Sequence, residues 1–336
     1  MIDTDYIYIT LFLIFINFLM YLLKDSFYEK FLPVDQPSDR KIHSKPILIS
    51  GGLIFYINLI LVLFISNFAN QVFINFDQIK ISFFVSITAL FFLGILDDKI
   101  NLNSTLKLFL IIIILYFFLT KNNNFLISEL KFSFSEKSVS LGTYSIFFTI
   151  LCIALFINAF NMFDGINLQS GFYSLFFFIF FLLKGYNTIF CILIIFPHIV
   201  FLLKNFHNKS FLGDSGCYIL SFIIGLFIIN FYNQGNIKSD QIFLLMLIPG
   251  IDMFRLFLYR IYNKRNPFSA DKNHLHHILL LRFSSLKTFF IICFIYLINF
   301  ILVYLEFNTL LTLIMSLTIS LFMNFYNRMV QFKGNA

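Results

Sequence analysis

The chain has 336 residues; 59% are hydrophobic, only 12% are charged, and the net charge at pH 7 is +7. Soluble domains carry about a quarter of their residues as charged side chains, so this composition excludes a soluble globular protein and predicts a polytopic membrane protein. The positive balance does not make nucleic acid a partner, because the basic residues lie in short loops between apolar runs, where they set topology.

A helix needs about 20 apolar residues to cross a bilayer. In chain order the candidate runs are 6–23, 47–68, 80–96, 106–120, 143–160, 171–184, 188–203, 217–232, 242–261, 286–305 and 309–327. Backbone polar groups in lipid must be satisfied within their own segment, so these spans are expected to be helices and the fold all-α, with 10–11 transmembrane helices. The first run follows Asp3 and Asp5 rather than a basic segment, and no small-residue cleavage site comes after it. It therefore reads as a retained span rather than a leader. The short sixth and seventh runs read as a hairpin turning at Lys184-Gly185-Tyr186-Asn187. Cys152, Cys191, Cys217 and Cys293 stand singly, without the spacing of a disulfide framework or a zinc site. No repeat and no soluble segment divides the chain, which is expected to form one integral membrane domain, 1–336.

With the N-terminus outside, alternation puts 24–46, 97–105, 161–170, 204–216, 262–285 and the C-terminal tail on the inner side. Those loops hold Lys24, Lys30, Arg40, Lys41, Lys45, Lys99, Lys204, Lys209, Lys264, Arg265, Lys272 and Arg282, with Arg328 and Lys333 in the tail, against Lys121, Lys131, Lys137 and Lys238 outside, plus Lys80 and Lys184 at outer helix ends. Positive charge selects this orientation. It also brings four polar islands to one face: Asp97-Asp98, Asn158 to Gly165, Phe211 to Gly216, and Asp271 to His277.

Paired acids at the end of a span suit a divalent metal or a base acting on a phosphate, and Lys107 follows at the start of the next span. Asn158, Asn161 and Asp164 recur at helical spacing before Gly165. Phe211-Leu212-Gly213-Asp214-Ser215-Gly216 offers backbone N–H groups, one hard oxygen ligand and an aromatic face. His274, His276 and His277 suit a pyrophosphate or a sugar, with a metal as the alternative. Together the islands match a magnesium-dependent reaction on a diphosphate. A cation-coupled transporter fits less well, because its polar groups belong near the bilayer midplane and no acid is read inside a span.

Five segments then resemble, in order and spacing from about Asp39 to Leu280, the polyprenyl-phosphate N-acetylhexosamine-1-phosphate transferases. They are Arg40-Lys41-Ile42-His43 with Gly51-Gly52; Gly94 to Asp98 with Lys107; Asn158 to Asn167; Phe211 to Gly216; and Pro267-Phe268 to His277. The resemblance implies an inner-membrane enzyme with its site in cytoplasmic loops and a motif-bearing core of about 39–280. Its substrates would be a UDP-HexNAc, with N-acetylglucosamine as the default sugar, and a polyprenyl phosphate taken from the lipid. Mg2+, or Mn2+ in its place, would be the cofactor. A homodimer is one assembly the resemblance leaves open. It assigns the metal to Asp214 and Asn161. Asp97, Asp98 and Lys107 would act on the phosphates, with the acids as base or as organisers. Phe211 would stack on uracil, and Asn158, Asp164, Gly165, Asn167, His274, His276 and His277 would bind substrate. The histidine pattern resembles the N-acetylhexosamine branch more than the muramoyl-pentapeptide branch, which is the alternative. Asn167-Leu168-Gln169 departs from the common Asp-Gly-Leu, and Cys217 stands where Ser is common. Both departures bear on sugar choice more than on reaction class.

Overall fold

The computed structural model describes residues 4–22, 32–37, 45–66, 80–266 and 273–314. The basic segment Arg40-Lys41-Ile42-His43, together with Pro267-Phe268 and Asp271, lies outside the described residues. The long helices are α1 (Thr4–Leu22), α2 (Gly51–Ser66), α3 (Lys80–Ile100), α4 (Ser104–Lys121), α5 (Ser145–Phe163), α6 (Gln169–Leu183), α7 (Thr188–Phe206), α8 (Gly213–Asn233), α10 (Leu247–Tyr262) and α12 (Ser285–Tyr304). Two short ones are α9 (Ser239–Leu245) and α11 (Leu275–Leu280). A further helix occupies 309–314. Each predicted apolar run thus carries helix. Among the described residues six helices are long and apolar enough to cross a membrane, and α9 with α10 makes a seventh if counted as one bent span; Thr10–Leu22, Gly51–Phe64 and Gln169–Leu183 are shorter apolar helices. The protein is an all-α, multi-pass membrane protein.

The bundle is built around α8, whose apolar window is 94% buried, whereas that of α4 is 22% buried and presents Phe109, Ile113 and Tyr116 outward. Small residues let α2 and α3 close on the start of α8. A Cβ at Gly94 would land on the Ser215 backbone and lie 2.8 Å from the Asp214 carbonyl carbon; one at Gly52 would meet Ser215 Oγ. Backbones approach this closely only where side chains are absent. The variant Gly94→Val is therefore expected to push α3 off α8, with an overpacking loss of at least about 1–3 kcal/mol. The thermal midpoint of the detergent-purified protein reads this directly, and an unchanged midpoint would show that the contact is slack.

Local sequence sets the turns at the functional end. α3 stops at Ile100 because Asn101 takes a left-handed turn (φ 50°) and the Asp97 carboxylate accepts from Leu102 N at 2.9 Å. Asn103 then caps α4, its side chain accepting from Thr105 N at 3.0 Å. At the opposite end, α6 and α7 form the expected hairpin, turning through Gly185 (φ 69°) and Asn187 (φ 45°).

Three features depart from the reading of the sequence. The run 242–261 is not one straight helix: α9 and α10 meet at a 79° bend. Pro249 has no N–H to offer the Leu245 carbonyl, which instead accepts from Tyr173 OH at 2.8 Å. Second, that same run contains a buried acid, Asp252; no acid had been expected inside a span. Third, short strands tie loops together. β1 (Val34–Asp35), β2 (Ile47–Ile49) and β5 (Ser210–Phe211) form a sheet in the order β1-β2-β5, with Leu48 paired to Ser210 and Ile49 to Phe211. β3 (Glu129–Lys131) and β4 (Ser138–Ser140) make a hairpin at the other end of the bundle.

Candidate active site

The end of α3, the start of α4, the end of α5 and the start of α8 meet at one end of the bundle, and each brings part of an acidic cluster. Asp97 is 3% exposed and fully engaged. Its Oδ1 accepts from Leu102 N, and its Oδ2 accepts from Lys107 Nζ at 3.1 Å and Tyr218 OH at 2.7 Å. Asp98 faces the first turn of α8: its Oδ1 accepts from Asp214 N at 2.9 Å, while Oδ2 lies 3.5 Å from both Ser215 N and Ser215 Oγ. It does the work of a helix cap for a turn whose orphan N–H groups would otherwise be unsatisfied. Gly213 turns into that helix at φ 73°, and a Cβ there would sit 2.8 Å from Asp98 Oδ2.

Asp214 follows on the same turn and accepts from Asn161 Nδ2 at the end of α5. Three residues on, Asp164 accepts from Ser170 Oγ, and from Cys217 Sγ at 3.5 Å. Burial pushes the Asp164 carboxyl up to about 6, against the pull of those two donors. Asp98 feels the charges of Asp97 and Asp164, and Asp214 those of Asp98 and Asp97, with Lys107 as a compensating cation for Asp214. Two like charges about 5 Å apart repel by about 3 kcal/mol at an effective dielectric constant near 20. The cluster is therefore built to receive positive charge.

The histidine motif joins this cluster through Gly165. The His276 ring occupies the place a Cβ on Gly165 would take. His276 stacks on His274 with centroids 5.4 Å apart and planes 12° apart, and its centroid is 4.4 Å from that of His277. Burial, reinforced by the His277 and His274 charges, lowers His276 to about 3, so it is neutral at physiological pH.

Asp97, Asp98, Lys107, Asn161, Asp164, Gly165, Asp214, His274, His276 and His277 are thus one connected group. The other candidates, Asn158, Asn167 and Phe211, have different neighbours. Asn158 sits one helical turn back on α5, with its amide nitrogen 3.5 Å from Met253 Sδ on α10. Spacing of three residues drifts by about 60° per step on a helix, so Asn158 and Asp164 cannot share a direction. Asn167 braces the loop instead of facing the acids: its amide donates to Asn205 O at 3.0 Å and Asn208 Oδ1 at 2.6 Å. Next to it Leu168 is left-handed (φ 72°), with its N–H held by Asn205 Oδ1 at 2.6 Å. Phe211 lies on β5, partly buried beside Ile49.

Sequence reasoning missed Tyr218, Asp252 and Arg255. Tyr218 could have been found as the residue one turn after Asp214 on α8. The partnership of Asp252 with His274 spans 22 residues and has no local signal.

Asp98 accepts from the Asp214 backbone and Asn161 donates to the Asp214 carboxylate, so hard oxygen donors of the type a divalent cation takes are neighbours here. Among the described residues no three His, Cys, Asp or Glu side chains make up a complete metal shell.

Fold and site define a multi-pass membrane protein with an acid and histidine centre at one end of its bundle. The sequence matches the profile described as Glycosyl transferase family 4 over residues 80–232. It is 28% identical over 265 residues to the probable undecaprenyl-phosphate N-acetylglucosaminyl 1-phosphate transferase of Bacillus subtilis (strain 168), covering 74% of this chain and 69% of that relative. The undecaprenyl-phosphate alpha-N-acetylglucosaminyl 1-phosphate transferases of Escherichia coli O157:H7 and Yersinia pestis are 26% and 27% identical over 275 and 274 residues, each covering 77% of this chain and 72% and 73% of the relative. The chain is thus similar to glycosyl transferase family 4 over its central helices and to these transferases over about three quarters of its length.

Proposed function

We propose that the protein transfers a HexNAc-1-phosphate, with N-acetylglucosamine as the sugar, from a UDP-sugar to undecaprenyl phosphate. One oxygen of the lipid phosphate bonds to the β-phosphorus of the UDP-sugar. The anhydride bond to the α-phosphate breaks, UMP leaves with its electron pair, and undecaprenyl-diphosphate-HexNAc remains in the bilayer. One phosphoanhydride replaces another, so the step is readily reversible.

The observation that carries this reading is the convergence of four carboxylates, one lysine and a histidine triplet at one end of an apolar bundle, in a chain whose relatives are named for this reaction. Asp97 anchors Lys107, which is partly exposed and available to a phosphate oxygen. Neutral His276 offers hydrogen bonds without adding charge beside Asp164. Asp214 and Asn161, with Asp98 beside them, would hold Mg2+, which when bound neutralises the diphosphate and the leaving UMP. Among the described residues Lys99, Lys204, Lys209, Lys264, Arg265 and Arg282 lie in the helix ends and loops next to the site segments, which supports a site facing the cytoplasm of the bacterial inner membrane. Nothing favours the muramoyl-pentapeptide reading, since the similar relatives carry N-acetylglucosaminyl names.

Purified protein incubated with undecaprenyl phosphate and each UDP-sugar in turn should release UMP with UDP-N-acetylglucosamine. EDTA should abolish release, and MgCl2 or MnCl2 should restore it. Turnover confined to UDP-MurNAc-pentapeptide would overturn the substrate, and turnover indifferent to EDTA would overturn the metal.

A further inference from the structure

We infer that Asp252 is a positioning residue for the histidine motif, holding the His274 ring and the start of α11 against the loop that carries Asp164 and Gly165. The inference rests on the transferase reading above and adds a residue to it. Asp252 lies on α10, in an apolar run where a buried acid needs a reason. Among the described residues its hydrogen bonds go to the motif or to a residue clamping the motif. Its Oδ2 is 3.0 Å from His274 Nδ1, and its Oδ1 accepts from Leu275 N at 3.1 Å and from Arg255 Nη2 at 2.7 Å. The same Arg255 nitrogen donates to Asn273 O at 2.5 Å.

A carboxylate can only accept, so His274 Nδ1 carries the proton. That fixes the tautomer and leaves Nε2 as the nitrogen free to serve a ligand. The Leu275 N–H is the first of α11, a helix of six residues. So short a helix has little stability of its own, and an outside acceptor on its first N–H sets where it begins. From there the order passes to the substrate side: His274 stacks on His276, and His276 fills the space beside Gly165. Asp252 thus orients two imidazoles without touching the acid cluster.

The test uses the full chain in detergent, with kinetics against both substrates. Asp252→Asn is expected to raise KM for UDP-N-acetylglucosamine by roughly tenfold, the worth of one charge-assisted hydrogen bond. KM for undecaprenyl phosphate and the thermal midpoint should stay near their original values. Asp252→Glu, which keeps a carboxylate within reach, should recover most of the loss. A second readout needs no turnover: carbethoxylation followed by mass spectrometry should modify His274 and His276 several-fold faster in Asp252→Asn than in the unaltered protein. If the unaltered protein releases no UMP, the transferase reading falls, while the histidine reactivity still tests Asp252. Unchanged KM and unchanged reactivity would overturn the inference. So would equal loss in the Asn and Glu variants, or both KM values rising together with a lowered midpoint, since either result marks a merely structural role.

Discussion

Asp214→Ala is expected to lower UMP release by at least about 10²–10³-fold, the scale of losing a group that stabilises charge on the reacting phosphates, while leaving the protein as stable as before. The two halves of that expectation come from the same geometry. Asp214 begins α8 beside Asp98 and Asp97, so removing its carboxylate relieves repulsion within the cluster. Against this, Asn161 loses the acceptor for its amide, a loss of about 1 kcal/mol. Asp98 still accepts from the backbone N–H of residue 214, so the first turn of α8 remains capped. The opposing effects nearly cancel, and the variant should unfold within a few degrees of the unaltered protein. An acid that is indispensable for turnover and dispensable for folding is kept for what it binds. Kinetics and a thermal melt on one preparation check both halves. A variant that keeps most of its activity would remove Asp214 from the metal and phosphate chemistry.

How much of this could be read from the chain depends on the range of the interaction. Span positions follow from hydropathy alone, and the shared face of the islands follows from counting spans. The α6–α7 hairpin was legible because Gly185 and Asn187 are ordinary turn residues, and both have positive φ. The break between α9 and α10 was half legible. Pro249 signals trouble within an apolar run, but a 79° bend also needs Tyr173, 72 residues before Leu245, to take the Leu245 carbonyl.

The β1-β2-β5 sheet was not legible, because two- and three-residue strands leave no periodicity to detect. Yet that sheet sets the backbone of Phe211 just before Gly213. Nor was the division of labour among polar residues. Asn161 and Asn167 look alike in the sequence; one meets Asp214 and the other braces Asn205 and Asn208. The adjacent pair Asp97-Asp98 is the sharpest case. Neighbours on a helix point about 100° apart, so one carboxylate faces α4 and Tyr218 while the other faces the start of α8.

That divergence gives the second large effect. Asp97→Ala is expected to remove both activity and stability, in contrast to Asp214→Ala. Its side chain satisfies a backbone N–H, a lysine and a tyrosine in a place that is nearly closed to water. Removing it takes from Lys107 its direct partner at 3.1 Å and leaves Tyr218 OH and Leu102 N without their acceptor, and truncating one partner of a buried pair typically costs about 3–5 kcal/mol. The loss belongs to the stranded cation as much as to the missing contact, which makes it separable. Replacing both members with apolar residues, as in Asp97→Leu with Lys107→Met, should return most of the stability, because no unpaired charge remains. UMP release should stay absent, because the lysine that meets phosphate has gone as well. Denaturation of the single and double variants in detergent, beside their turnover, tests the argument. If the double variant is no more stable than Asp97→Ala, the ion pair is not what holds the α3–α4 turn together, and the Tyr218 and Leu102 contacts must carry the loss instead.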